Sequence, residues 1–124
     1  MKQNFSDNTT FVTGARNGTI SLWKNKKVEM SMFRDKISNE WTLVHHKNGR
    51  IFAASKNKDV VELNMDLNTV KKFQGRDSQP YTMDADKRYL IVGYKNGYVD
   101  VHCRDELDQN GMYRKISVSF PRFF

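Results

Sequence analysis

The strongest constraint on this chain is a repeat. Phe11-Val12-Thr13-Gly14-Ala15-Arg16-Asn17-Gly18-Thr19-Ile20-Ser21-Leu22-Trp23 aligns without a gap on Leu90-Ile91-Val92-Gly93-Tyr94-Lys95-Asn96-Gly97-Tyr98-Val99-Asp100-Val101-His102, 79 residues later. A third copy lies between them. Phe52-Ala53-Ala54-Ser55-Lys56-Asn57-Lys58-Asp59-Val60-Val61-Glu62-Leu63-Asn64 starts 41 residues after the first and 38 before the last. A unit of about 40 residues is too small to bury its own apolar face. Such units stack on their neighbours and share a core.

Each copy has the pattern of a β-hairpin. A short apolar run leads into a tight polar turn, and a second run follows with period two. Asn17-Gly18 and Asn96-Gly97 are strong hairpin signals, because both central positions of a type I′ turn need positive φ. The middle copy places Lys58-Asp59 there. In the second run, Ile20, Val61 and Val99 align, as do Leu22, Leu63 and Val101. The opposite face carries Ser21, Glu62 and Asp100, and is expected to be less deeply buried.

Further β-prone stretches flank the hairpins. Val28–Phe33, Thr69–Phe73 and Lys115–Phe120 follow them, and Trp41–His45 and Tyr81–Asp84 precede the second and third. Lys47-Asn48-Gly49 and Asp86-Lys87-Arg88 supply the connecting turns. Pro80 and Pro121 fall between units, where no ladder donor is needed. Four short strands per unit make one propeller blade, lettered a to d from the channel outward. The expected fold is all-β: about three four-stranded antiparallel blades of an incomplete propeller ring. Blade 1 covers 1–36 with a truncated strand a (Phe5 to Thr10), blade 2 covers 37–76 and blade 3 covers 77–124.

Here the chain resembles the WD-repeat family. Phe11 to Trp23 is similar to that family's strand b, turn and strand c, ending on its characteristic Trp. Asp86 to Gly93 is similar to its a–b turn entering strand b. The resemblance spans roughly residues 5–120. Its signature dipeptide is absent: Trp23-Lys24, Asn64-Met65 and His102-Cys103 stand in its place, and Gln74-Gly75-Arg76 is the nearest approach to its Gly-His step. The family's buried Asp-His-Ser/Thr-Trp network is therefore incomplete here. Val44–Asn64 and Ile91–Val101 resemble blades of EMAP-like microtubule-associated proteins. Thr69 to Gly75 resembles a strand d of F-box/WD substrate adaptors.

Closed propellers have four to eight blades. Three blades leave two apolar faces and open strand edges. The expectation is that further chain completes the ring, or that a second copy brings the total to six. Phe123-Phe124 fits either a following blade or docking into another subunit.

Charge and composition narrow the partners. Lys and Arg total 21 against 14 Asp and Glu, a formal net charge of +7. A basic balance favours an acidic partner: nucleic acid, an anionic membrane or an acidic protein face. The charges are dispersed, however, with Lys24-Asn25-Lys26-Lys27 the densest cluster and no block of five. No apolar run approaches the roughly 18–20 residues that span a bilayer, and the N-terminus carries no apolar stretch of signal type. No membrane partner is expected. A single cysteine, Cys103, excludes an intramolecular disulfide framework and fits a reducing compartment, so a cytoplasmic location is expected.

Catalysis finds little support. Neither His102-Cys103 nor His45-His46 can converge on one ligand or proton, since neighbours on a strand point to opposite faces. No phosphate loop or zinc spacing is present. No enzyme activity, cofactor or metal is expected. Propeller connectivity places the b–c and d–a loops on one rim, with Arg16, Lys56, Lys58, Tyr94 and Lys95. The a–b and c–d loops form the other, with Lys24, Lys26, Lys27, Lys47, Arg50, Lys87 and Arg88. Basic residues on both rims argue against one phosphate-tracking stripe. Trp23 is expected in the core, Met30 and Met32 in packing, and Trp41 either near the channel or as an interface anchor.

The reading is a non-catalytic scaffold for protein partners, with a cytoskeletal role favoured because tubulin surfaces are acidic. The alternatives are the substrate-recognition propeller of a ubiquitin-ligase adaptor, or an RNA-associated subunit of a ribonucleoprotein. The first rim (Arg16, Lys56, Lys58, Tyr94, Lys95) is the candidate partner-binding site.

Overall fold

The structure is a computed structural model that describes residues 10–15, 18–24, 27–33 and 41–120. The expected strand a of the first unit, Arg16, Lys26 and the Phe123-Phe124 pair lie outside the described residues.

Eleven strands form three antiparallel sheets. The first holds β1 (Thr10–Gly14), β2 (Thr19–Lys24) and β3 (Lys27–Phe33). The second runs β4 (Trp41–Lys47), β5 (Arg50–Ser55), β6 (Asp59–Leu63) and β7 (Thr69–Gln74). The third runs β8 (Pro80–Ala85), β9 (Tyr89–Tyr94), β10 (Tyr98–Leu107) and β11 (Tyr113–Ser119). Within each sheet every strand pairs with the next along the chain, as in a propeller blade. Pro80 opens β8, where its missing N–H costs no interior ladder bond. The last strand starts at Tyr113, two residues before the expected Lys115.

Hairpin register corrects the alignment of the middle repeat. Gly14 pairs with Ile20, Ala54 with Val60, and Gly93 with Val99. Val60, not Val61, therefore matches Ile20 and Val99, and Glu62 falls on the face of Leu22 and Val101. The turn moves too. Lys58 takes the place of Gly18 and Gly97, with φ of 75° against 89° and 92°. A lysine in that left-handed region hid the turn, because glycine normally marks it.

The two faces of each sheet have distinct neighbours. Val12, Ile20 and Leu22 of the first sheet pack on Ile51, Ala53, Val61 and Leu63 of the second, in a core closed by Trp41 and Leu67. Phe52, Ala54 and Val60, on the second sheet's other face, meet Leu90, Val92 and Tyr94 of the third, with Phe73 and Ala85. Each sheet thus presents a forward face to the backward face of the next. Full burial of one such aliphatic side chain contributes about 1.5–3 kcal/mol. Gly14 marks a close approach at the first interface: an added Cβ would stand 2.6 Å from Val44 Cγ2 and 2.9 Å from Trp41 Cβ.

Two β6/β7 and β10/β11 connections share a turn that the repeat alignment did not reveal. Asn64 Oδ1 accepts the Asp66 and Asn68 amides at 2.9 and 3.0 Å. Asp108 Oδ1 accepts those of Asn110 and Met112 at 2.8 and 3.0 Å. The fourth residue has positive φ in both, Leu67 at 62° and Gly111 at 79°. Leu67 is nevertheless 4% exposed, so core burial offsets its backbone strain of about 1 kcal/mol.

Candidate interaction rim

The b–c turns converge on one rim, and each is tied to its surroundings by backbone carbonyls or amides. Trp41 Nε1 donates to the Gly18 carbonyl at 3.1 Å, so β4 of the second sheet holds the turn of the first. The Gly75 amide donates to the Lys58 carbonyl at 3.2 Å, and the Lys95 amide to the Gln79 carbonyl at 2.8 Å. These bonds link b–c turns to the strand or connection beside them. Trp41 is accordingly a buried core residue that anchors the rim, not an exposed contact.

Lys56 and Lys58 stand exposed on one turn and Lys95 on the corresponding turn of the next sheet. Asp59 and Asp77 lie on the same rim. Tyr94 does not present a rim surface: it is 5% exposed and packs with Phe52 and Leu90. Burial, with Asp100 adding to it, pushes its hydroxyl up to about 12.

Trp23 is half-buried on the backward face of the first sheet, beside Thr13 and Ser21, and its Nε1 donates to Thr13 Oγ1 at 3.0 Å. It faces away from the Ile20 and Leu22 core.

The second rim carries Lys47, Arg50, Lys87 and Arg88. Asp86 Oδ1 accepts the Arg88 and Tyr89 amides at 2.9 and 2.8 Å, which shapes the a–b turn and lowers the carboxyl below its ordinary value. Lys47 pairs with Asp84 at 3.2 Å, and Arg50 lies 3.6 Å from Glu62. Arg88 lies 3.9 Å from Asp105, so three of these four cations have a carboxylate beside them.

The expectation that Glu62 and Asp100 lie on a less buried face is wrong. They are 1% and 0% exposed. Arg104, on the third sheet, donates to both Glu62 oxygens at 3.0 and 2.9 Å. Arg76, on the connection from the second sheet, donates through Nε to both Asp100 oxygens at 3.1 and 3.0 Å. Its guanidinium stacks 3.8 Å over the Tyr98 ring. Ser117 Oγ donates to Asp100 at 2.7 Å. A buried carboxylate is tolerable only with such partners: Arg104 reaches Glu62 from the neighbouring sheet, Arg76 reaches Asp100 from the connection between sheets, and Ser117 reaches it from the adjacent strand β11. Sequence reading missed this because alternation gives a face and not what covers it.

Ser117, Asp100 and His102 do not form a nucleophile–base relay. The Ser117 hydroxyl donates to the carboxylate, and neither His102 nitrogen has a hydrogen-bond partner. The His102 ring packs 5.2 Å from Phe73, and burial lowers it to about 4. His102 and Cys103 are both buried. The β9–β10 ladder runs through both without a shift, so they point to opposite faces.

No family model and no curated protein matches this sequence. Solved structures do. The WD40 β-propeller domain of Doa1 superposes with a TM-score of 0.68 at 21% identity, covering 94% of this chain and 38% of that one. The computationally designed Ika8 protein gives 0.68 at 19%, covering 85% and 32%. The designed Ika4 protein gives 0.65 at 16%, covering 96% and 88%. This chain therefore spans about a third of the length of the first two. At these identities the likeness shows the fold: the three sheets are blades of a WD40-like propeller arc.

Proposed function

We propose that this chain is a non-catalytic scaffold whose b–c rim docks on an acidic face of a protein partner. The observation that carries this reading is the set of exposed lysines Lys56, Lys58 and Lys95 on turns pinned at their backbones. A turn pinned at its backbone loses little backbone entropy on binding. Long-range attraction between such a rim and an acidic surface speeds encounter and fixes orientation. Arg16, at the matching repeat position, adds a fourth cation to the set by sequence. A cytoskeletal, cytoplasmic setting fits, since tubulin offers an acidic surface of the required kind.

A pull-down at two salt concentrations tests the reading. A protein partner retained with a shallow salt dependence supports it. Recovery of RNA, lost steeply as salt rises, would mean that phosphates are the target instead.

A further inference from the structure

We propose that Arg76 is the specificity-determining anchor of the b–c rim, and that the edge of its guanidinium left over by Asp100 receives a carboxylate side chain of the protein partner. The inference rests on the rim reading above and names the chemistry that the partner must bring.

Two arginines reach buried carboxylates in this chain, and they are spent differently. Arg104 uses all three nitrogens: Nε and Nη2 donate to Glu62, and Nη1 donates to the Asp86 carbonyl. Arg76 commits only Nε, which lies 3.1 and 3.0 Å from the two Asp100 oxygens. A guanidinium carries five N–H donors, four of them on its Nη atoms. Neither Nη atom of Arg76 has a hydrogen-bond partner among the described residues, and neither is sealed from solvent. The side chain is 23% exposed, against 14% for Arg104. Neutralising Asp100 therefore leaves the end-on edge of Arg76 unused.

That edge is held in place by its surroundings. The Tyr98 ring stacks on the guanidinium at 3.8 Å, and Asn96 Oδ1 accepts the Tyr98 amide at 3.2 Å. Asp100, which fixes Nε, accepts the Ser117 hydroxyl at 2.7 Å. The connection that carries Arg76 is pinned at both ends: the Gly75 amide donates to the Lys58 carbonyl, and the Gln79 carbonyl accepts the Lys95 amide. Arg76 thus sits between the turns that present Lys58 and Lys95. An arginine prearranged against an aromatic ring has the makeup of an interface hot spot.

The chemistry of this edge selects a carboxylate. Two coplanar oxygens match the planar Nη pair with two parallel charge-assisted hydrogen bonds. The Arg76 and Asp100 charges cancel as a pair, and Asp77 stands exposed beside them. A phosphate dianion draws most of its binding from net positive charge, which this pair does not supply. The lysines attract an acidic surface, and Arg76 fixes where one carboxylate of it must sit.

The test is a fluorescence-anisotropy titration of a fluorescein-labelled polyglutamate peptide with the 124-residue chain at low salt. Arg76→Lys keeps the net charge and an ion pair to Asp100 but removes the Nη edge. It is expected to weaken binding about tenfold while melting close to wild type. Tyr98→Leu leaves the Asp100 ion pair in place and removes the stacked ring, with an expected loss of about threefold. Should Arg76→Lys fail to fold, Tyr98→Leu decides alone. Wild-type affinity in these variants, with the Lys56→Glu, Lys58→Glu and Lys95→Glu chain failing to bind, would overturn the anchor and leave the rim reading intact. No binding by wild type would overturn the rim reading and the anchor with it. Displacement of the peptide by millimolar inorganic phosphate at constant ionic strength would overturn the choice of a carboxylate.

Discussion

Arg104 and Glu62 form a two-point ion pair across the second and third sheets, with Nε and Nη2 at 3.0 and 2.9 Å from the two carboxylate oxygens. Glu62 is 1% exposed, and the Arg104 guanidinium also covers the Phe52 ring at 5.0 Å. At the same repeat positions the first interface has Leu22 and Met65, both in its apolar core. The two interfaces thus solve one packing problem with opposite chemistries. The ionic solution discriminates between sheets, since neither half tolerates the other interface's partner.

Removing one partner is expected to cost far more than removing both. Arg104→Ala strips the buried carboxylate of its two-point partner, with Arg50 at 3.6 Å and Lys71 on the adjoining strand remaining, and is expected to destabilise by about 3 kcal/mol. The double variant Glu62→Leu with Arg104→Met copies the Leu22 and Met65 pair and is expected to match or exceed wild-type stability. Urea unfolding of the two variants measures the contrast. A double variant as unstable as Arg104→Ala would mean that the pair does more than satisfy charge.

His102 makes stability depend on pH. Burial, aided by Lys115 and Arg76 and opposed by Asp100, lowers its imidazole from 6.5 to about 4. Between those values the unfolded chain binds a proton that the folded chain does not. Stability is therefore full above pH 6.5 and falls as pH drops towards about 4, by up to roughly 3 kcal/mol. His102→Leu, which copies Leu63 at the matching position, is expected to flatten the curve in that window. Thermal melts from pH 7 to 4 read both slopes.

Lys58 holds a φ of 75° where Gly18 and Gly97 stand in the other hairpins. Lys58→Gly relieves left-handed strain and is expected to stabilise by roughly 1 kcal/mol. It removes a rim cation in the same step. Higher stability with weaker partner binding would separate the residue's two roles, measured by chemical denaturation and by titration calorimetry.

Gly14 leaves no room for a side chain. Gly14→Ala drives a methyl into Val44 and Trp41 at the first interface. The expected cost is about 1–3 kcal/mol. Hydrogen exchange is expected to rise across β1, β2 and β4, while the third sheet keeps its protection.

The sequence carried the architecture well and the interfaces poorly. Period and Asn-Gly turns located the hairpins, because backbone geometry alone demands them. The middle copy slipped by one residue, since Lys58 occupies a glycine's conformation and Asn57-Lys58 does not advertise a turn. That slip moved Glu62 to the wrong face. Even a correct face would not have shown that Asp100 and Glu62 are buried, because burial depends on which sheet stacks against them. The rim lysines were legible, since turns are exposed wherever they sit. Tyr94 was not, because its ring turns from the rim into the core beside Phe52.

The most direct test of the scaffold reading is co-sedimentation with polymerised tubulin. Wild type is compared with Lys56→Glu, Lys58→Glu and Lys95→Glu combined, at low and physiological salt. The account predicts that wild type binds and that charge reversal weakens binding by about tenfold or more, most at low salt. Equal binding by both chains, or binding of neither at low salt, would contradict it.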